Sequence, residues 1–206
     1  VRQYEVVGQS TEITSHLYSV DFKPIAEIGR IILSKGDGTI NVIPDVHLAR
    51  VYRDNAYICI STSHKTSVSI FDDQARVRKV LTLPLPSLKV TPQMHRRVMD
   101  PYRDDPLVRA SGAALWERLS VPDHTPGLDC FEVQDERLIC RTHRLLGDRV
   151  EFVFFDMNGS ERGRRFLSDV PSDNDRNHFC FHGENYLTLK ESNDTGGWEL
   201  LTEKIF

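Results

Sequence analysis

Apolar and polar residues alternate with a period of two in short runs along this chain. Each run stops at a cluster of Asp, Asn or Gly, which is the pattern of antiparallel hairpins. The clearest runs lie at 50–52 and 57–60 about Arg53-Asp54-Asn55-Ala56, and at 68–71 and 77–83 about Asp72-Asp73-Gln74. The same order returns at 131–133 and 138–140 about Gln134-Asp135-Glu136, and at 150–155 and 162–167 about Asp156-Met157-Asn158-Gly159. Side by side, Asp54-Asn55-Ala56-Tyr57-Ile58-Cys59 matches Asp135-Glu136-Arg137-Leu138-Ile139-Cys140, so the unit that repeats is a four-stranded meander. A partial copy precedes these two at 16–21 and 23–28. Another closes the sequence at 179–181, 186–189 and 197–201, where a third strand is followed by no fourth.

Four-stranded antiparallel units in tandem are the blades of a β-propeller, in which each sheet packs on its neighbours and radial closure protects the edges. The pattern therefore predicts an all-β chain, a single partial propeller domain over 1–206 whose ring is incomplete. Ser69-Ile70-Phe71-Asp72-Asp73, the run Leu85-Pro86-Ser87-Leu88-Lys89-Val90-Thr91-Pro92-Gln93-Met94, and Val121-Pro122-Asp123-His124-Thr125-Pro126-Gly127-Leu128-Asp129 carry a further likeness. On them the chain resembles the C-terminal half of bacterial six-bladed β-propellers of the TolB-like and NHL-like group. Asn55-Ala56 and Glu136-Arg137 depart from the Asp-Gly usual at the first hairpin turn of such blades. The resemblance implies a secreted or periplasmic location. It also implies that something completes the ring: a missing N-terminal half, a second copy in a homo-oligomer, or closure as a smaller ring.

The strand pattern breaks between residues 84 and 126, where a helical insertion is expected. Thr91 can cap a helix opened by Pro92, whose missing N–H costs nothing at the first helical position, and Asp100-Pro101 should end it. A second helix should start at Asp105-Pro106 and run towards Leu119 with Leu107, Ala110, Ala114 and Leu115 inward. Trp116 and Trp198 read as packing residues.

Binding residues are sought first in the loops that gather around a propeller's channel. Those loops offer His64 and Lys65, His124, His143 and Arg144, and His178, the candidate ligand-binding set. Imidazoles and carboxylates converging there could hold a divalent cation, but no HExxH or DxDxDG spacing occurs, so no metal site or cofactor is assigned. No GxSxG elbow or phosphate-binding glycine loop is present either, and no catalytic residue is named. Arg162-Gly163-Arg164-Arg165 could draw an anionic partner, although charge on an outermost strand also serves to discourage edge pairing. The four cysteines read as buried free thiols. Cys59 and Cys140 are equivalent by the repeat, and Cys130 and Cys140 can bridge only if the turn between their strands is three residues long.

Composition narrows the partners. With 26 Lys and Arg against 30 Asp and Glu, net charge −4, the 206-residue chain has no surplus to neutralise phosphates, so a nucleic acid is not expected. No apolar run approaches the ~18 residues of a membrane-spanning helix. Strong architecture beside weak chemistry favours a non-enzymatic module that binds a protein or small-molecule ligand. The competing expectation is a channel-face metal-dependent hydrolase, lactonase or lyase of the six-bladed type, with His143, His124 or His178 as ligand or base.

Overall fold

A computed structural model describes residues 2–7, 10–18, 23–32, 39–168, 179–191 and 198–205. The chain divides into two compact units, residues 1–130 and residues 131–206. The first begins with β1 (Arg2–Val7), β2 (Ser10–Tyr18) and β3 (Pro24–Ile32), a three-stranded antiparallel sheet. After β4 (Ile40–Asn41) come β5 (Val46–Tyr52), β6 (Asn55–Ser61), β7 (Thr66–Phe71) and β8 (Val77–Leu83), a four-stranded meander in chain order. Its central strand is buried on both faces, with Tyr57 2%, Ile58 2% and Cys59 0% exposed, whereas Val77 to Val80 on the outermost strand lie open to water. Burial on both faces is why β6 reads as a continuous apolar run instead of an alternation.

The helical insertion follows as α1 (Pro92–Asp104), α2 (Pro106–Ser111) and α3 (Ala113–Trp116), and the chain returns through β9 (Leu119–Ser120). The Thr91 cap forms as its sequence implies, with the Met94 N–H donating to Thr91 Oγ1 at 3.2 Å. Asp100-Pro101, however, does not end α1. Proline removes one N–H, and on this exposed helix the turn continues to Asp104, until Asp105 turns extended ahead of Pro106. Nor is there one second helix, because Gly112 at φ +65° breaks it into α2 and α3. Ala110 and Ala114 are exposed, Leu115 is half-buried, and no residue of α3 is buried, so these three do not form the inward face expected of them; the Leu107 side chain lies outside the described residues. The ends of the insertion form a stem: Val90 N–H donates to the Asp123 carbonyl (2.8 Å) and Thr125 N–H to the Leu88 carbonyl (2.9 Å). β9 pairs in parallel with β4, a non-local contact for which neither two-residue segment carries a local signal.

The second unit repeats the plan with β10 (Cys130–Gln134), which starts at the last residue of the first, β11 (Arg137–Leu146), β12 (Arg149–Asp156) and β13 (Glu161–Ser168). The correspondence extends below the level of strands. Asp72 and Asp156 hold equivalent hairpins: Asp72 Oδ1 accepts the N–H groups of Gln74 and Arg76, and Asp156 Oδ1 those of Asn158 and Ser160. One residue before each aspartate the pairing slips, between Ile70 and Phe71 in one sheet and between Phe154 and Phe155 in the other.

Last come β14 (Phe179–His182), β15 (Asn185–Glu191) and β16 (Trp198–Lys204), a three-stranded sheet. Phe181, Tyr186 and Ile205 on one side of it join Ile139, Val150, Phe152, Phe154 and Leu167 in a single core. The rings of Phe152 and Phe181 meet edge to face at 5.3 Å, and Tyr186 Oη donates to the Ser168 carbonyl at 2.9 Å. On the opposite side Leu189 pairs with Leu200, and Leu189, Trp198 and Leu200 are 41%, 58% and 63% exposed. Trp198 thus lies on the face turned away from this core. The described residues are thus mostly β, in antiparallel meanders with short helices.

Candidate functional site

His64 and Lys65 form the exposed turn between β6 and β7. Thr62 builds that turn, its N–H donating to the Lys65 carbonyl (2.9 Å) and its Oγ1 accepting the N–H groups of His64 and Lys65, each at 3.1 Å. Asp45, just ahead of β5, lies beside His64. Desolvation raises the Asp45 carboxyl above its ordinary range, and the nearby imidazole pulls it partly back. Under this turn Ser61 Oγ and Thr66 Oγ1 share a buried hydrogen bond of 2.7 Å, and Ser61 Oγ accepts the Leu128 N–H at 3.3 Å. Gly127 fits there for lack of a side chain: a Cβ would stand 2.5 Å from Thr66 Oγ1 and 2.9 Å from the Leu85 carbonyl oxygen.

His124 is exposed on the stem, bridged to Lys89. His143 and Arg144, in the second unit, are not loop residues, since β11 runs on to Leu146 and the turn shrinks to Gly147-Asp148. The irregularity between Arg141 and Leu145 carries them. There the buried Glu151 carboxylate accepts Thr142 Oγ1 at 2.8 Å and faces the guanidiniums of Arg144 and Arg164, both at 3.4 Å. Burial of a charge is tolerable because three donors surround it. Arg164 also grips Glu161 (2.7 Å), and Arg162 pairs with Asp156 (2.6 Å). The basic run of β13 thus spends these charges inside its own sheet. His178 lies outside the described residues.

The cysteine chemistry meets expectation in having no bridge and differs from it in two ways. All four thiols are free, Cys130 and Cys140 included, because the turn is the two residues Asp135-Glu136, both at positive φ. Counted from that turn, Cys140 occupies the place of Ile58, not Cys59, so the repeat equivalence is off by one and the two thiols face opposite sides of their strands. Cys180 is exposed instead of buried. Cys59 is buried as expected, and desolvation, with the neighbouring Cys130, pushes its thiol up to about 12.

Two further concavities lie elsewhere, along α1. One cleft of about 570 Å³ is lined by Val90, Thr91, Pro92, His95, Arg96 and the Val121-Pro122-Asp123 segment of the stem. Another of about 300 Å³ is lined by Tyr102, Arg103, Val108, Arg109, Ala113 and Trp116 around Gly112. His95 and Arg96 stand seven residues before Tyr102 and Arg103, so both clefts open on one face of the helix. Sequence reasoning missed this site because it set Trp116 and the insertion's apolar residues inward. The available signal was the spacing of Arg96 and Arg103 on a helix with few residues to bury.

Among the described residues no helix is long and apolar enough to cross a membrane, and no three His, Cys, Asp or Glu side chains gather as metal ligands would. Protein-family models give no match to this chain, and neither do curated proteins.

Proposed function

We propose that this chain is part of a β-propeller, of the six-bladed kind its sequence resembles, and acts as a non-enzymatic binding module whose contact surface is the helical insertion. The propeller reading is supported by the two meanders, alike down to their Asp-held hairpins and pairing slips, each with a buried second strand. It is supported also by the stacking of β14–β16 on the preceding sheet through one face. The opposite face, with Leu189, Trp198 and Leu200 exposed, is where a next sheet would pack.

One observation carries the binding reading: the segment that departs from the repeat sets exposed arginine side chains beside half-buried aromatic ones around clefts. Tyr102 and Trp116 are only half-buried there beside exposed Arg103 and Arg109. Trp, Tyr and Arg are the side chains that dominate protein contact energies, and insertions on regular scaffolds are where contacts evolve. Asp45 and His64 supply two ligand types at one turn but no third, so nothing among the described residues favours the metal-dependent hydrolase.

The test compares the full chain with one in which residues 92–116 are replaced by a short Gly/Ser linker, both expressed in the cell of origin and sized on a native gel-filtration column. The full chain should elute in a larger complex and the shortened chain as the free protein. Identical elution of two folded chains would contradict the reading.

A further inference from the structure

We propose that Asn158 is a covalent modification site, at which the side-chain amide is lost as ammonia through a ring closed by the Gly159 nitrogen. The hairpin that Asp156 organises keeps the reaction slow until β12 and β13 part there. The site is separate from the insertion and from the contact surface assigned to it.

Asn158-Gly159 is the one Asn-Gly pair in the 206 residues. Asparagine is chemically labile, and a following glycine has no side chain to obstruct attack by its nitrogen. Asn158 is exposed in the turn between β12 and β13. The chemistry needs only water. The Gly159 N–H gives its proton to solvent, the nitrogen attacks Asn158 Cγ, and the Cγ–Nδ2 bond breaks as ammonia leaves. Water then opens the cyclic imide at either carbonyl, so amide and water become acid and ammonia. One opening gives aspartate. The other gives isoaspartate, in which the backbone runs through the side-chain carboxyl and is longer by a methylene.

Three hydrogen bonds oppose this in the folded chain. The Gly159 N–H donates to the Asp156 carbonyl at 3.0 Å, and the N–H groups of Asn158 and Ser160 on either side donate to Asp156 Oδ1 at 2.8 and 2.9 Å. The proton that must leave is thus shared, and the carboxylate beside it disfavours a second negative charge. The backbone that must rotate to close the ring is held on both sides. The first meander has the same turn without the chemistry. There the Ala75 N–H donates to the Asp72 carbonyl at 3.0 Å, and those of Gln74 and Arg76 to Asp72 Oδ1 at 3.0 and 2.9 Å. Ala75 and Gly159 both have positive φ, and Gln74 is exposed as Asn158 is. Gln74-Ala75 would have to close a larger ring onto a nitrogen crowded by a methyl group, so this turn is inert. The same hydrogen bonds therefore form without asparagine or glycine. Isoaspartate at 158 would lengthen the chain between two N–H groups that share one carboxylate oxygen, so the turn could not re-form as it was. The modification is thus a permanent record that this hairpin has opened.

The test incubates the full chain in mildly alkaline buffer, folded and in urea, followed by trypsin digestion. Conversion is read by mass and by isoaspartate-specific methylation of peptides 150–162 and 66–76, which carry the two turns. Peptide 150–162 should convert about tenfold faster in urea than in the folded chain, the factor expected when a turn loses its hydrogen bonds. Peptide 66–76 should convert in neither. Asp156→Ala should bring the folded rate up towards the urea rate. A second variant leaves the Asp156 turn intact: Gln74→Asn/Ala75→Gly should make peptide 66–76 convert, slowly when folded and fast in urea. Equal or faster conversion of 150–162 in the folded chain, or no conversion in urea, would overturn the assignment. So would an unchanged rate in a folded Asp156→Ala chain, or an inert 66–76 peptide from the double variant in urea.

Discussion

At the scale of single residues, Asp72 and Asp156 explain why two stretches of dissimilar sequence fold alike. Each carboxylate organises a hairpin by accepting two backbone N–H groups and pairing with an arginine, Arg76 at 2.9 Å and Arg162 at 2.6 Å. These bonds favour the ionised form, and both carboxyls are held below the usual aspartate range, backbone hydrogen bonds being the largest cause. A carboxyl with a depressed folded-state pKa contributes stability that is present above its unfolded value and lost as pH falls through the folded one. The melting temperature should therefore fall as pH is lowered through the ordinary aspartate range and below it. The fall should be shallower in the Asp72→Asn/Asp156→Asn double variant, measured by circular dichroism across that range. Thiol reactivity follows from burial in the same way. Native protein should give one reactive thiol, Cys180, and denatured protein four; a native count that includes Cys59 would contradict its burial.

At the scale of elements, the strands were legible because alternation and Asp-rich turns are local signals, and all four of the clearest hairpins form. What local signals leave open is register. A central strand buried on both faces accepts an apolar residue at every position, so Cys140 could be matched to Cys59 when it stands where Ile58 does. The helix ends were misread for a related reason, since Pro101 marks a stop only statistically, and the real break came from the left-handed Gly112. The polar pattern of His143 and Arg144 reads as a loop because it hides a strand irregularity, at which Arg144 pairs with Glu151. Packing between elements gives two further expectations. Phe152→Ala should cost about 3–5 kcal/mol in urea unfolding, since its ring contacts Phe179, Phe181 and Tyr186 at once. Gly127→Ala should cost about 1–3 kcal/mol by forcing Thr66 or the Leu85 carbonyl aside; no loss would mean that the segment shifts freely.

At the scale of the whole molecule, the meanders and the insertion divide the work. The sheets bury their middle strands and use their polar outer strands as surface, while the insertion buries little of itself and presents two clefts on one helix face. The sequence pattern was enough for the sheets, because each repeats the same local chemistry. The site stayed hidden because whether a helix faces inward or outward is decided by the stem and the β4–β9 pairing, contacts between residues far apart in the chain. The central claim is that the α2–α3 side of the insertion is where this molecule touches a partner. The most direct measurement places a photoreactive benzoylphenylalanine at Ala113, which is exposed at the cleft, and in a separate chain at Val80, which is 58% exposed on β8. After irradiation in the cell of origin, the account predicts a discrete higher-mass adduct from position 113 and none from position 80. Adducts at both positions alike, or at neither, would contradict it.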